Sequence, residues 1–179
     1  MSTIKVENLT GLSSGANANK IIVPSGQTLD ASNGFTAPAG HVLQVVEGTR
    51  TIWTATSTTT FVSTGQGVTI TPSSTSSKIL LLGNLNGTYT SLAASFMHIK
   101  LYRDASDIAW ITSNYGQGLT QVGESLAWSY LDSPSTTSAT TYELYFSAST
   151  GGGTIGLQNY AVSGNNTSRS NITAMEIAG

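Results

Sequence analysis

Very few side chains in this sequence could carry acid–base, nucleophilic or metal chemistry. Its two histidines are His41 and His98, it has no cysteine, and only 9% of its residues are charged. General acid–base catalysis and metal binding both depend on such groups. Neither histidine has neighbours at metal-ligand spacing, so we interpret both as surface or interface residues. The composition indicates a structural or binding protein rather than an enzyme, and we expect no cofactor and no metal.

One pair of acids is spaced so that the two could act together. Asp104 and Asp107 flank Ala105-Ser106 in a predicted turn. They could share a calcium ion with loop carbonyls or serve as the paired carboxylates of a glycosidase. Two acids three residues apart are common in turns, and no supporting constellation accompanies this pair. We therefore assign no catalytic residue.

Two glycine motifs match functional signatures without the required context. Residues 151–156 fit G-x-G-x-x-G, but the dinucleotide fingerprint needs a helix after it. Here Thr154–Leu157 reads as a strand, which predicts a hairpin turn. Residues 11–15 fit G-x-S-x-G, but a nucleophile elbow needs a strand-to-helix turn. We interpret the second motif as a chance match in a polar segment.

The aromatic side chains are better candidates for binding, because exposed rings can stack on sugars. The chain has three tryptophans, Trp53, Trp110 and Trp128. Trp128 lies between Leu126 and Tyr130 in an alternating pattern, so we predict that it is a core residue. Trp110 is followed by polar residues, and we predict that its ring is exposed.

The elements that must position these residues are β-strands. Apolar residues alternate with polar ones, as in Met97–Tyr102, which is the period of a half-buried strand. Ile79–Leu82 is continuously apolar and predicts a strand buried on both faces. We predict ten strands and no helix, which favours an antiparallel jelly roll or β-sandwich. The predicted strands are 42–46, 51–54, 59–62, 67–71, 78–82, 97–102, 126–130, 142–146, 153–162 and 172–177.

Residues 1–41 differ from the rest of the chain. Short apolar pieces are separated by turn-forming groups such as Pro24-Ser25-Gly26 and Asn33-Gly34. Such pieces are too short to bury a core alone. They predict either an extended arm or stalk that intertwines with identical copies, or a partly disordered arm. We therefore divide the chain into an N-terminal arm, residues 1–41, and a head, residues 42–179.

The overall balance of charge limits the partners. The net charge of −2 gives no electrostatic reason to expect nucleic acid or an anionic membrane as a partner. No apolar run reaches the roughly 18–20 residues of a membrane span, and residues 1–5 lack a signal-peptide pattern. We expect synthesis in a cytoplasm. A surface this poor in charge favours self-association, and hence an obligate oligomer.

Several segments resemble the tail-fibre-like virion proteins of marine phages. They are residues 70–80 (ITPSSTSSKIL), 130–134 with 141–145, the closing residues 170–179, and the opening residues 2–6 with 22–30. The resemblance covers most of the chain, and its motifs are structural. It implies a homotrimer, an N-terminal segment that joins the virion, and a C-terminal β-sandwich head.

These observations together predict a non-enzymatic phage virion protein, made in the bacterial host. We predict a trimeric tail-fibre or short-fibre component whose head loops, Asn84–Tyr89, Ser113–Gln117 and Gly164–Ser168, bind a host-surface glycan. The alternative is a capsid decoration or head-fibre protein held to the capsid by its arm. The predicted ligand-binding residues are Asn84, Asn86, Tyr89, Trp110, Asn114, Tyr115, Asn165 and Asn166, and the predicted attachment residues are Ile4, Val6, Leu9 and Leu12.

Overall fold

The computed structural model describes residues 13–15, 22–26, 37–91, 95–115, 124–150, 153–157 and 169–179. The chain divides into two units, Met1–Thr36 and Ala37–Gly179. The strands of the described residues all lie in the second unit. The sequence-based boundary between residues 41 and 42 stays a prediction, as does the intertwined arm.

Ten strands make up the regular structure of the described residues, and none of those residues lies in a helix. They are β1 (Val42–Arg50), β2 (Thr54–Thr56), β3 (Val62–Ile70), β4 (Lys78–Thr90), β5 (Met97–Arg103), β6 (Ser106–Tyr115), β7 (Glu124–Asp132), β8 (Thr140–Ala148), β9 (Ile155–Leu157) and β10 (Ser170–Ile177). In this part of the chain no helix is therefore available to cross a membrane.

Eight of the strands form two antiparallel sheets. One has the order β1-β10-β4-β7, and the short strands β9 and β2 continue from the end of β4. The other has the order β3-β8-β5-β6. The pairs are nested along the chain: β5 with β6, β4 with β7, β3 with β8, and β1 with β10. This is the rolled-up hairpin of a jelly roll, and the predicted fold class is confirmed.

The core lies between the two sheets and is filled by alternate residues of the strands. Inward positions of the first sheet include Ile79, Leu81 and Ile172, and the second sheet contributes Leu101 and Phe146, all fully buried. The alternation predicted for 97–102, 126–130 and 142–146 is confirmed, because each apolar set points inward.

The prediction that Ile79–Leu82 is buried on both faces is wrong for the single chain. Ile79 and Leu81 point into the core, but Leu80 is only half-buried and Leu82 is 39% exposed on the outer face. The strand list is also wrong in three places. Thr51–Trp53 precede β2, the predicted strands 59–62 and 67–71 correspond to the single strand β3, and β6 was not predicted at all. In the 153–162 segment, β9 covers Ile155–Leu157, and residues 158–162 lie outside the described part.

Close packing between strands requires glycine at two positions. A Cβ on Gly83 would lie 2.1–2.3 Å from ring atoms of its cross-strand partner Trp128. A Cβ on Gly48 would lie 1.9 Å from the carbonyl oxygen of Gly67, so β1 and β3 approach backbone to backbone. These absent side chains let the indole and the two sheets come together.

A buried carboxylate joins β10, β1 and the turn between β3 and β4. Glu176 is fully buried and accepts hydrogen bonds from the Ser73 amide, the Ser73 hydroxyl and the Ser77 hydroxyl, each 2.7 Å long. Gln44 Nε2 donates to the same carboxylate at 2.5 Å. Burial alone would raise the pKa of Glu176, but the hydrogen bonds from Ser73, Ser77 and Gln44 outweigh it and lower the pKa from 4.5 to about 2.

A second polar cluster joins the two sheets. Asp132 of β7 accepts two hydrogen bonds from the Arg103 guanidinium of β5, at 2.9 and 3.2 Å. The Tyr142 hydroxyl of β8 donates to the same carboxylate at 2.7 Å. Burial, followed by the hydrogen bond to Asp132, raises the pKa of Tyr142. The tyrosine therefore stays neutral and continues to donate.

The Glu176 site predicts a specific acid sensitivity. Because the folded-state pKa is depressed, its contribution to stability is complete above about pH 4.5 and is lost as the pH falls towards 2. Glu176→Gln should lower the free energy of unfolding at pH 7 by roughly 2–4 kcal/mol, since it removes charge-assisted hydrogen bonds in a buried site. Urea denaturation of both proteins from pH 2 to 7 measures the effect, and the variant should show a flatter pH dependence.

Glu47→Gln is the matched control. Glu47 pairs with Arg169 at 3.1 Å, but both side chains are largely exposed. Its loss should change stability by less than about 1 kcal/mol. An equal loss in the two variants would contradict the special role of the buried carboxylate.

Candidate binding surface

A row of polar and aromatic side chains crosses the outer face of the β3-β8-β5-β6 sheet. Cross-strand pairing aligns Ser63 with Tyr145, Tyr145 with Lys100, and Lys100 with Trp110. Directly paired residues share one face of a sheet. The alternate residues Ile99 and Leu101 are buried in the core, so the row lies on the outer face.

The rings around Lys100 form what we call the aromatic cluster, made of Phe61, Phe96, His98, Lys100 and Trp110. Trp110 meets Phe61 and His98 edge-on, with ring centroids 5.5 and 5.8 Å away. Phe96 meets His98 in the same way at 5.4 Å. The Lys100 ammonium lies 4.6 Å from the centre of the Trp110 ring and 4.8 Å from that of Phe61. Such cation–π contacts fix the orientation of the rings.

Charged groups lie beside these rings. Lys100 Nζ is 2.6 Å from Asp107 Oδ2, and the Asp107 side chain is 50% exposed. On the neighbouring strands, Tyr102 and Tyr145 stack with centroids 4.0 Å apart, and Glu143 accepts a hydrogen bond from the Ser63 hydroxyl. The surface therefore combines ring faces with hydrogen-bond donors and acceptors.

This combination suits a neutral ligand with apolar C–H faces and hydroxyl edges, which is the chemistry of a sugar. A ring face packs against C–H groups, while a few polar groups fix orientation. The carboxylates that accompany the surface are already engaged: Asp107 with Lys100, and Asp104, through Oδ1, with the Thr141 amide at 2.9 Å. The two carboxylates that flank Ala105-Ser106 therefore have separate partners.

The prediction for Trp110 is confirmed, and the prediction that Trp128 is a core residue is confirmed only in part. Trp110 is 55% exposed. Trp128 is half-buried and packs against the hydrophobic core beside Gly83. Trp53 is 43% exposed, but it is held against Tyr89, edge-on with centroids 5.8 Å apart, and it lies over Gly156.

The predicted binding loop Asn84–Tyr89 is wrong, because this segment continues β4. Gly87 takes a positive φ of 62°, and the pairing with β7 shifts between Leu85 and Thr88. The Asn-Gly pair therefore forms a bulge inside a strand instead of a turn. Tyr89 lies in the strand with its ring against Trp53.

Asn84 and Asn86 are both held within the sheet. The Asn86 amide donates to the Ser170 hydroxyl at 2.9 Å, its side-chain Nδ2 donates to the Arg169 carbonyl, and its Oδ1 accepts from the Ser125 hydroxyl. These hydrogen bonds give Asn86 a structural role. Asn84 is half-buried, and its Oδ1 accepts no hydrogen bond from the residues that the structure describes.

The other predicted residues are placed only in part. The predicted loop Ser113–Gln117 is wrong for its first three residues, because Ser113, Asn114 and Tyr115 end β6. Residues 116 and 117 lie outside the described part. Asn165 and Asn166, together with the attachment residues Ile4, Val6, Leu9 and Leu12, lie outside the described residues. Strand register puts Thr90, Tyr115 and Ser170 at the same end of the sandwich. The end of β4, the end of β6 and the start of β10 therefore lie at one end.

The two histidines lie at opposite ends of the jelly roll. His41 precedes β1, and its Nδ1 lies 3.0 Å from the Pro38 carbonyl oxygen. His98 belongs to the aromatic cluster. Over the described ranges, no group of three or more histidines and acids could hold a metal ion. Gly153 and Thr154 lead into β9, a strand and not a helix, as the hairpin interpretation of residues 151–156 requires.

Sequence reasoning missed Phe61, Lys100 and Tyr145 as members of this surface. A signal was present, because His98, Lys100 and Tyr102 alternate with buried residues and must share the outer face. What the sequence lacked was the register that places Tyr145 and Trp110 on either side of Lys100.

Comparison with solved structures finds viral capsid proteins. The fold is similar to VP2 of infectious bursal disease virus in its subviral particle, with a TM-score of 0.51 and 13% sequence identity over 76% of this chain and 33% of VP2. Structures of the Gt and Gx strains of that virus give TM-scores of 0.47, with 14% and 13% identity, over 88% of this chain and 43% and 42% of theirs. The chain spans about a third of VP2. At this identity the similarity is one of fold.

The other comparisons give nothing further. No protein-family model matches the sequence, and no curated protein matches it.

The two tryptophans should differ sharply when truncated. Trp128→Ala removes a ring packed on the core, so it should lower the free energy of unfolding by about 3–5 kcal/mol. Trp110→Ala removes an exposed ring and its contact with Lys100, so it should cost only about 1 kcal/mol. Chemical denaturation of both variants measures the difference. Similar losses would contradict the assignment of Trp110 to the surface.

Proposed function

We propose that this chain is a structural protein of a bacteriophage virion, a trimeric tail-fibre or short-fibre component whose jelly-roll head binds a host-surface glycan. The observation that carries the virion role is the nested pairing of eight strands in two sheets, a jelly roll whose fold is similar to that of a viral capsid protein. The resemblance of several segments to phage fibre proteins favours the fibre form.

The glycan role is supported by the aromatic cluster. Trp110 presents a ring that is 55% exposed, with Lys100 and Asp107 beside it as donor and acceptor. A single site of this kind binds a sugar weakly, and several copies in one fibre act together through avidity. The mechanism is binding without turnover. Attachment to the virion is assigned to the N-terminal arm, and synthesis to the cytoplasm of the bacterial host.

A second candidate is a capsid decoration or head-fibre protein. The specific observation in its favour is that the similar solved structure is that of VP2 in a subviral particle, not of a fibre. In this role the arm binds the capsid and the head projects from it.

The position of the protein in the virion separates the two roles. A fibre component should be labelled by immunogold at the tail and should be present in a few trimers per virion by quantitative mass spectrometry. Label spread over the head, at copy numbers comparable to those of capsomer junctions, would contradict the fibre role and support decoration.

The glycan role has its own test. The pure protein should bind a subset of immobilised bacterial surface glycans, and Trp110→Ala should weaken that binding at least tenfold, because the stacking ring is lost. Thr69→Ala is the matched control, since Thr69 is exposed on the outer face of the same sheet, six residues along β3 from Ser63. The bound glycan should be recovered intact, and release of fragments would contradict binding without turnover.

A further inference from the structure

The outer face of the β1-β10-β4-β7 sheet carries an apolar row. Cross-strand pairing aligns Val45 with Met175, Met175 with Leu80, and Leu80 with Leu131. The row therefore crosses all four strands on one face. At its two ends Val45 is 56% exposed and Leu131 is 52% exposed, and Leu82 beside it is 39% exposed.

We call this outer face the apolar face. It differs from the aromatic surface because its central row carries no charge. The row itself holds no charged residue, and the charges nearest to it along the strands are Glu47 on one side and Lys78 on the other. The outer face of the other sheet presents Lys100 and Asp107 as an ion pair. A partner for the apolar face must therefore be apolar itself.

The sequence of β4 points to a covered face. Ile79–Leu82 is the continuous apolar run of a strand buried on both sides, yet in the single chain Leu80 is half-buried and Leu82 is exposed. Pattern and structure agree if a second layer covers the outer side. Exposed apolar patches of this kind in a soluble protein mark contact sites.

We propose that the apolar face is the contact between copies of this chain. Two such faces can pack as sheet layers about 10 Å apart. The row can then meet the same row of the second copy, so that Val45 lies opposite Leu131 and Met175 lies opposite Leu80. In this arrangement every group in the row meets an apolar group, with no charge left unpaired. The face is therefore complementary to itself.

The size of the face fits this partner. Four strands about 4.8 Å apart and roughly 30 Å long give a face on the order of 600 Å². One side of a standard interface buries about 800 Å², so the sheet supplies most of one. Because the face meets its own copy, the contact is two-fold, so it goes beyond the three-fold assembly in the proposed function. It leaves the aromatic cluster free for a ligand.

Sedimentation equilibrium of the full chain tests the proposal. The parent protein should be oligomeric at micromolar concentration, and the double variant Val45→Glu/Leu131→Glu should raise the dissociation constant at least a hundredfold, because it buries charge in an apolar contact. Both positions are more than half exposed, so the fold should persist, as circular dichroism will show. The single variant Leu131→Glu gives an independent reading if the double variant unfolds.

Thr69→Glu is the matched control, since Thr69 is exposed on the outer face of the other sheet. It should leave the association unchanged. Two results would overturn the proposal. One is a parent protein that remains monomeric at about 100 μM, and the other is charge variants that associate as tightly as the parent. Glycan binding is read separately through Trp110→Ala, so loss of one result does not remove the other.

Discussion

The structure depends on the position of one strand, β10, which pairs with β1 on one side and with β4 on the other. β10 makes the first strand of the jelly roll part of a sheet, and its residue Glu176 ties the turn between β3 and β4 to the same place. A buried carboxylate with four donors is costly to rebuild in any other register, because every donor would have to move with it. Ser73 and Ser77 are thus structural residues, because both donate hydrogen bonds to Glu176. They fix the closing strand and, through it, the two outer faces.

The two outer faces differ in their chemistry. On one sheet the outward residues are aromatic and charged, with Trp110 and Lys100 in contact. On the other they are aliphatic, from Val45 to Leu131. A sandwich has two broad outer surfaces, and under our proposals one would bind a glycan and the other a second copy of the chain. The fold supplies flat faces of fixed spacing, and the outward residue of each alternating pair decides what a face does.

The fold could be predicted from alternation, because most strands bury one side and show the other, as Met97–Tyr102 does. The binding surface could be predicted only in part. The exposure of Trp110 could be predicted because polar residues follow it. Its neighbours come from separate strands, and the local sequence pattern does not determine how those strands pair. The Asn86-Gly87 pair misled because it is a strong turn signal. The backbone amide and the side chain of Asn86 are instead hydrogen-bonded to Ser170, Arg169 and Ser125, which are distant in the sequence.

The nested pairing also determines when each strand can find its partner during synthesis. Val42 is paired with Ile177, so the first strand of the head has no edge partner until the last strand has been made. At translation rates of about 5–20 residues per second, the earlier strands wait on the order of ten seconds with their apolar sides uncovered. Contacts of such long sequence separation also close slowly. Only 9% of the residues are charged, so electrostatic repulsion gives the growing chain little protection against association with its neighbours on a polysome.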